Sequence, residues 1–502
     1  MRVPFSCQPT LDTLPISEVS LNTQCRDEII PVLAALKHLY GQTRDRDEIL
    51  TLVARDVNAT TDAHQGRKGL DYWQILVLAA VRLGCNLDYD KLQNLAEEHR
   101  TLRRILGIGF WQDDDEDVKS FDWRRIRANV CLLRPETLKQ LNARVVQAGH
   151  RLVPEAAATV RGDTFVVETD IHYPTDATLL ADGLRKIVSL ARTLAVRLGV
   201  SGWRQGRQLH RRVKQLLRRI NQACKSKQGG AARRRKRAYQ PLLKLTRLLL
   251  RRARHLALQA QAVTATARDI TQSLSSSGLC QELEHYVQLT EQALNQAYRR
   301  VMRGEQVPHA EKLFSIFEPH TELIHRGKTP QPVEFGHKVL ILEDSVGFVV
   351  HYEVLGKGVQ DQEVGVPALA TAQQAVGGKI QSASFDRGFH SPANQERMAE
   401  IVAHPCLPMR GAKQEARQQA TATIEFRAGR RHHPGVESAI HALQAGNGMS
   451  RCRDRTERGY ERYVGLGVLG RNLHVLGKVV LGQETPGCQA SRTKRKGLAC
   501  SA

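Results

Sequence analysis

The stretch Arg161-Gly162-Asp163-Thr164-Phe165-Val166-Val167-Glu168 carries most of the information from which the fold is predicted. Its second half, residues 164–167, is rich in β-branched and aromatic side chains, which predicts a short strand with Asp163 at its start. Pro174-Thr175-Asp176 follows a few residues later and predicts the cap of a helix. This helix leads into a long basic segment.

Further strands and helices are predicted after the basic segment. They are strands at 338–342 and 346–354 joined by the turn Glu343-Asp344-Ser345, a helix at 367–376 stopped by Gly377-Gly378, a strand at 380–385 ending at Asp386, a helix capped by Ser391-Pro392, a strand at 401–407 and a helix opened by Pro434. The order is strand, insert, hairpin, helix, strand, helix, strand, helix, which is a mixed α/β order. It fits a ribonuclease-H-like mixed-sheet catalytic core interrupted by a basic helical insert.

The N-terminal part of the chain reads as helical. An apolar stripe over residues 72–83 predicts one helix ending at Gly84, and Pro135 is a good first-turn residue for another. The predicted domains are an all-α N-terminal domain for DNA binding or dimerisation at 1–118, connecting helices at 119–154, the catalytic domain at 155–180 and 330–482, the basic helical insert at 181–329, and a disordered basic tail at 483–502.

The positive charge of the chain is concentrated in one segment. The 502 residues contain 74 Lys and Arg and 51 Asp and Glu, a net charge of +23. Residues 183–268 contain 24 of the Lys and Arg and no acidic residue, so the rest of the chain holds 50 basic and 51 acidic residues. Leucines at helical spacing predict two amphipathic basic helices joined near Gln228-Gly229-Gly230.

Such a basic surface favours a polyanion as its partner, because its charges would otherwise repel one another. A solvated coiled-coil face would alternate acidic with basic residues, and this segment does not. We therefore predict that it binds DNA phosphates. The residues predicted to do so are Arg211, Arg212, Lys214, Arg218, Arg219, Arg233, Arg234, Arg235, Lys236 and Arg237.

Three acidic residues are placed where an α/β core gathers its site. Asp163 begins a predicted strand, Asp386 ends one, and Glu437 lies in the first turn of a predicted helix. Carboxylates brought together repel one another, and they take up protons unless a cation compensates them. Hard oxygen ligands suit Mg²⁺ or Mn²⁺, and two ions about 3.5–4 Å apart can promote phosphodiester displacement.

Four blocks of the sequence resemble insertion-sequence transposases of the ISNCY type. They are residues 66–73 with the helices that follow, residues 161–176, Phe385-Asp386-Arg387-Gly388-Phe389, and Arg431-His432-His433-Pro434-Gly435-Val436-Glu437-Ser438-Ala439-Ile440. The resemblance implies a DDE transposase in which Asp163, Asp386 and Glu437 bind Mg²⁺ or Mn²⁺. It also implies an enzyme that acts on terminal inverted repeats and target DNA as a homo-oligomer.

One departure from related transposases concerns the surroundings of the glutamate. A Tyr–Arg–Glu–Lys signature would place those groups at fixed offsets, whereas the offsets −7, −4 and +7 hold Arg430, His433 and Gln444 here. Arg430, Arg431 and His433 are therefore candidates for contacting DNA phosphates.

Several alternative assignments stay open at this point. His433, Glu437 and His441 are spaced four apart and could form a zinc trio on one helix. Asp170 and Asp176 compete with Asp163 for the first catalytic position, while Glu168 is assigned to the opposite face of the strand. Trp203 and Tyr239 could stack on bases or anchor the packing of the insert.

The cellular setting follows from the cysteines and from hydropathy. The ten cysteines show no paired zinc spacing, and no apolar run is long enough for a membrane span. The expected protein is therefore cytoplasmic, associated with the nucleoid through its DNA, and not bound to a membrane. The leading hypothesis is a transposase that cuts element ends and joins them to target DNA; the alternatives are a nuclease without joining activity and a catalytically dead DNA-binding remnant.

Overall fold

The computed structural model describes residues 13–59, 69–109, 121–225, 230–266, 270–325 and 332–484, without the side chains of residues 263–275. Two compact units are present, one formed by residues 1–168 and 337–502 and the other by residues 169–336. The acidic run at 113–117, residues 66–68 of the first transposase-like block and the tail from 485 onward lie outside the described residues.

The first unit is mainly helical around a sheet. Its helices are α1 (Ile29–Gly41), α2 (Thr43–Val57), α3 (Tyr72–Gly84), α4 (Tyr89–Glu98), α5 (Arg100–Ile105), α6 (Trp123–Val130), α7 (Pro135–Leu152), and, after the second unit, α12 (Asp361–Ala375), α13 (Pro392–Ile401), α14 (Ala412–Ala420), α15 (Ile424–His432), α16 (Gly435–Gly446) and α17 (Glu457–Glu484). The strands are β1 (Thr159–Thr169), β3 (Val333–Asp344), which begins in the second unit, β4 (Val349–Val354), β5 (Ser382–Phe385), β6 (His404–Cys406) and β7 (Arg451–Cys452).

The sheet mixes parallel and antiparallel pairing, so the predicted mixed α/β class is confirmed. Its strand order runs β3, β1, β5, β6, with β4 paired to β3 and β7 paired to β1. β5 is parallel to both β1 and β6, whereas β3 and β4 form an antiparallel hairpin. Asp344 is fully buried at the turn of this hairpin, where its Oδ1 accepts the N–H groups of Val346, Gly347 and Phe348.

Several elements differ in their bounds from the sequence prediction, and two of these differences concern the candidate site. β1 begins at Thr159, so Asp163 lies inside the strand and not at its start. α12 begins at Asp361, six residues before the predicted start, and Pro367 lies inside it. The helix gains a capping box between Gln360 and Glu363, which satisfies N–H groups of its first turn.

The helices of the N-terminal region share one hydrophobic core with the sheet and α17. Glycines let the backbones come close: a Cβ on Gly477 would lie 1.8 Å from the carbonyl oxygen of Pro31, and one on Gly470 would lie 2.6 Å from the nitrogen of Gly84. The described part of residues 1–118 is therefore joined to the sheet and does not form a compact unit of its own.

A buried ion pair fixes the same junction. The guanidinium of Arg82 on α3 lies 2.6 Å and 3.3 Å from the two carboxylate oxygens of Asp454, just before α17, and Arg462 lies 3.3 Å from the same carboxylate. Removing either partner would leave an uncompensated charge in the interior, so this pair specifies how α3 and α17 dock.

α17 is the one helix among the described residues that is long and apolar enough to cross a membrane. Of the 18-residue apolar stretch of this helix, 67% is buried inside the protein. Its apolar side chains therefore pack in the hydrophobic core of the first unit.

The second unit is a helical bundle with a separate core. Its helices are α8 (Asp176–Arg197), α9 (Gly206–Lys225), α10 (Ala231–Thr266) and α11 (Ile270–Ala297), and α11 continues into a π-helical turn at Tyr298–Arg303. A short strand, β2 (Glu322–His325), pairs antiparallel with the first residues of β3. The two predicted basic helices are confirmed as α9 and α10.

Candidate functional site

Asp163 lies inside β1, and Asp386 directly follows the neighbouring parallel strand β5. The register of β1 and β5 runs from Thr159 opposite Ser382 to Gly162 opposite Phe385, and the two aspartates are the next residues along the two segments. A Cβ on Gly162 would lie 2.5 Å from the Phe385 ring, so glycine is what allows the strands to pair up to this point. Because paired strands are about 4.8 Å apart, this register brings the two backbones together at the edge.

Glu437 is carried to the same region by α16, in whose first turn it lies, as predicted. The start of α16 is positioned by Arg161 of β1. The Arg161 guanidinium donates to Glu343 from Nε at 2.8 Å and to the carbonyl of His432 from Nη1 at 3.2 Å. Its Nη1 lies so close to Gly435 that a Cβ there would be 1.9 Å away.

A fourth carboxylate, Asp361, belongs to this cluster and was missed from the sequence. Its Oδ1 accepts from the Thr164 hydroxyl at 3.3 Å and from Lys338 Nζ at 3.1 Å. A Cβ on Gly388, two residues after Asp386, would lie 3.5 Å from Asp361 Oδ2. The missed signal was the Gln360–Glu363 capping box, which marks Asp361 as the first residue of a helix.

The electrostatics show that these carboxylates act on one another. Burial is the largest cause that raises the pKa of Asp163, the N–H of Thr164 lowers it, and the charges of Asp386, Asp361 and Glu437 raise it further, to a net value of about 7. The Thr164 N–H donates to Asp163 Oδ1 at 2.7 Å. Asp163 is partly buried, whereas Asp386 and Glu437 are exposed. Within the described ranges, no hydrogen bond or ion pair engages the carboxylate of Asp386 or Glu437.

The side chains do not form a preassembled metal centre as they stand. No group of three or more His, Cys, Asp or Glu in the described part of the chain is arranged to hold a metal ion. The donor set consists of carboxylate oxygens, which suit a hard divalent cation, and the raised pKa of Asp163 reflects burial first and the neighbouring negative charges second. Binding such a cation would require the exposed side chains of Asp386 and Glu437 to turn toward Asp163.

The alternative of a zinc trio on one helix does not fit the geometry. His433 caps the C-terminus of α15, and α16 begins only at Gly435, so His433 does not share a helix with Glu437 and His441. His433 is only 8% exposed, and burial lowers the pKa of its imidazole, against the opposing effects of Asp386 and of the Ser384 backbone. Such a buried ring is poorly placed for the predicted contact with a DNA phosphate.

The two arginines near Glu437 differ in their surroundings. Arg431 is exposed at the end of α15, and its Nε donates to the carbonyl of Arg427 at 3.4 Å. Arg430 has its Nη2 at 3.6 Å from Glu415 Oε1. Arg387, which follows Asp386 directly, has its Nη2 at 2.6 Å from Glu415 Oε2.

The basic residues of the insert line the outer faces of α9 and α10. Those predicted to bind DNA are exposed, except Arg234, which is half-buried; they are Arg211, Arg212, Lys214, Arg218, Arg219, Arg233, Arg235, Lys236 and Arg237. Trp203 and Tyr239 are each 5% exposed within the bundle core, which gives them the packing role and not the base-stacking one.

The other acids near β1 have partners of their own. Asp176 is 7% exposed and accepts from Gln296 at 3.0 Å and Arg300 at 2.9 Å within the second unit. Glu168 pairs with Arg451 at 3.1 Å. Asp170 is exposed one residue beyond the end of β1. Asp163 remains the acid of β1 that interacts with Asp386.

No protein-family model matches the chain, and the comparisons with curated proteins and with solved structures find no match either.

Proposed function

We propose that the chain is a DNA transposase whose Asp163, Asp386 and Glu437 bind Mg²⁺ or Mn²⁺. The observation that carries the proposal is the β1–β5 register, which leads Asp163 and Asp386 to one edge, together with the effect of both Asp386 and Glu437 on the Asp163 carboxyl. The resemblance of four sequence blocks to ISNCY-type transposases supports the same three residues.

The architecture is compatible with a ribonuclease-H-like core. Strand β1 is followed by a helical insert, the β3–β4 hairpin, α12, β5, α13, β6 and the helices that carry Glu437. This is the element order expected for such a core. Its parallel β1–β5 pair supports the proposal because the register places Asp163, inside β1, beside Asp386, which directly follows β5.

The carboxylates of the site are proposed to bind the cations, and Asp163 is the one held in a fixed position. The bound cations would activate the attacking oxygen and stabilise the leaving oxygen of a phosphodiester. Asp163 is held by β1 and by the Thr164 N–H, so it provides the fixed carboxylate of the set. Asp386 and Glu437 are exposed and carry no hydrogen bond or ion pair among the described residues, so their oxygens are available to ligands.

Arg161 positions two of the elements that carry these carboxylates. It connects β1, which carries Asp163, with the turn that begins the Glu437 helix. Glu343 holds the Arg161 guanidinium and also accepts from Arg471 of α17 at 3.3 Å. This network fixes the spacing between the strand-borne and helix-borne carboxylates.

The substrate is proposed to be DNA, held through its backbone phosphates. The exposed cations of α9 and α10 would neutralise backbone phosphates irrespective of sequence. The duplexes tested first should be the DNA on either side of the coding sequence, where a mobile element would carry its inverted repeats.

The experiment supplies purified protein, Mg²⁺ and a duplex with a pre-cut end bearing a 3′-OH, together with a supercoiled plasmid as target. Covalent joining of the duplex to the plasmid is the expected result. Cleavage without joining would identify a nuclease, and neither reaction would favour a DNA-binding remnant. Asp386→Asn is expected to abolish joining without changing duplex binding; a variant that retains full joining would overturn the site assignment.

A further inference from the structure

A carboxylate bridges two arginines next to the proposed site. Glu415 of α14 has one oxygen 2.6 Å from Arg387 Nη2 and the other 3.6 Å from Arg430 Nη2. The Glu415 side chain is 16% exposed, while the side chains of Arg387 and Arg430 are 49% and 31% exposed. Two guanidinium groups from different elements thus face one anionic group.

The two arginines are fixed close to Asp386. Arg387 is its neighbour in sequence, and Arg410 donates to the carbonyls of Arg387 at 3.4 Å and Gly388 at 2.8 Å. Arg430 lies on α15, and its charge and that of Asp386 both act on the His433 imidazole. α15 is packed tightly on β6, since a Cβ on Gly429 would lie 2.7 Å from Cys406 Cβ.

The helix that carries Glu415 is held much more weakly. None of the nine residues of α14 is buried. Besides Glu415, its anchor to the preceding segment is Gln418, which accepts from the Met409 N–H at 2.8 Å and donates to the carbonyl of Leu407 at 3.2 Å. Because none of its apolar side chains is buried, α14 lacks the hydrophobic stabilisation that would resist its displacement.

We propose that Arg387 and Arg430 form a phosphate-binding clamp for DNA, and that Glu415 occupies the clamp until a backbone phosphate displaces it. A phosphodiester offers two anionic oxygens to a pair of guanidinium groups, as the Glu415 carboxylate does. The inference rests on the proposed function, because it names DNA as the ligand. It goes beyond that function by pairing Arg430 with Arg387 and by making Glu415 a competitor of the substrate.

A purely structural ion pair predicts the opposite behaviour. If Glu415 served only to dock α14, its removal would loosen the surroundings of Asp386 and leave DNA binding unchanged or weaker. If Glu415 competes with phosphate, its neutralisation strengthens DNA binding, and this gain depends on the two arginines.

The test measures fluorescence anisotropy of a labelled duplex with the full chain, without divalent metal so that no strand is cut. Glu415→Gln is expected to raise the affinity about two- to fivefold, as expected for removing one exposed ion pair. Arg387→Ala and Arg430→Ala should each weaken binding and lower the log–log salt slope by about 0.9, the contribution of one phosphate contact. Adding Glu415→Gln to the double variant lacking both arginines should then change nothing.

The matched control is Glu425→Gln, which removes the same charge from the first turn of the neighbouring helix α15. It should leave the affinity within the error of the wild type. An equal gain from Glu425→Gln, or no gain from Glu415→Gln in a protein that binds DNA, would overturn the clamp and leave the proposed function standing. A wild-type chain that binds no duplex at any salt concentration would overturn both.

Discussion

The guanidinium of Arg161 lies directly against Gly435, so that a methyl group on Gly435 would fall 1.9 Å from Arg161 Nη1. This contact joins the strand that carries Asp163 to the first residue of the helix that carries Glu437. Alanine at 435 would therefore fit only if the Arg161 guanidinium moved, since the backbone conformation at 435 is an ordinary helical one and space is what is limiting.

Gly435→Ala should separate these two elements. We expect the free energy of unfolding to fall by about 1–3 kcal/mol, as for other overpacked contacts, and strand joining to be lost. The control is Gly446→Ala at the other end of α16, where a Cβ meets nothing within 4 Å. That variant should be neutral or more stable by up to about 1 kcal/mol in urea unfolding, with joining retained. Equal effects of the two substitutions would contradict the role of the Arg161 contact.

The raised pKa of Asp163 should make the stability of the metal-free protein depend on pH. Its pKa is about 7 in the folded state against 3.8 for an ordinary aspartate, so folding favours the protonated carboxyl. This contribution is complete below pH 3.8 and is lost as the pH rises through 7. Relative to the wild type, Asp163→Asn should therefore gain about 1–4 kcal/mol between pH 5 and pH 8.

The measurement is thermal or urea unfolding of both proteins in chelator at the two pH values. Adding Mg²⁺ at pH 8 should then stabilise the wild type and leave Asp163→Asn unchanged. Parallel pH dependence of the two proteins would show that Asp163 is not the titrating group.

The exposed cations of α9 should each contribute to the salt dependence of DNA binding. Arg211 and Arg218 lie seven residues apart and are both exposed, so they share one face of the helix. Replacing either with Ala should lower the log–log salt slope by about 0.9. Arg254→Ala is the control, because Arg254 already pairs with Glu291 and should contribute less. A salt slope that stays at the wild-type value in both α9 variants would show that this helix does not contact DNA.

The buried Arg82–Asp454 pair should be essential for the first unit. Their side chains are 2% and 7% exposed, and Asp454→Asn leaves the charges of Arg82 and Arg462 without their shared anion. We expect a loss of about 3–5 kcal/mol in denaturant unfolding. Asp88→Asn, which breaks the exposed pair between Arg453 and Asp88, should change stability by no more than about 1 kcal/mol. Similar losses of stability in Asp454→Asn and Asp88→Asn would show that the buried pair contributes no more than the exposed one.

The sequence predicted three of the four clustered carboxylates, Asp163, Asp386 and Glu437, but not the full extent of the elements that carry them. Glycine is uncommon in strands, so Gly162 falls outside the predicted strand pattern, yet β1 continues through it since Phe385 and Leu342 leave no room for a Cβ. Pro367 likewise suggested a helix start, although α12 begins at Asp361. Asp361 was missed for this reason.

Contacts between distant segments could not be read from local patterns. Nothing in residues 412–420 indicates that Glu415 meets Arg387 and Arg430, since that depends on how α14 and α15 fold back beside β5. The docking of α3 on α17 depends in the same way on Arg82 and Asp454, which are 372 positions apart. Periodicity and capping residues predict single elements, whereas such pairs require the tertiary structure.

The central claim is that Asp163, Asp386 and Glu437 share a divalent cation. The most direct measurement is Mn²⁺ binding to the purified chain, followed by electron paramagnetic resonance in wild type, Asp386→Asn, Glu437→Gln and the control Glu396→Gln, which neutralises an exposed acid of α13. We expect the wild type and the control to bind alike, and each site variant to bind at least about tenfold more weakly, as for loss of a carboxylate ligand. Unchanged Mn²⁺ affinity in both site variants would contradict the account.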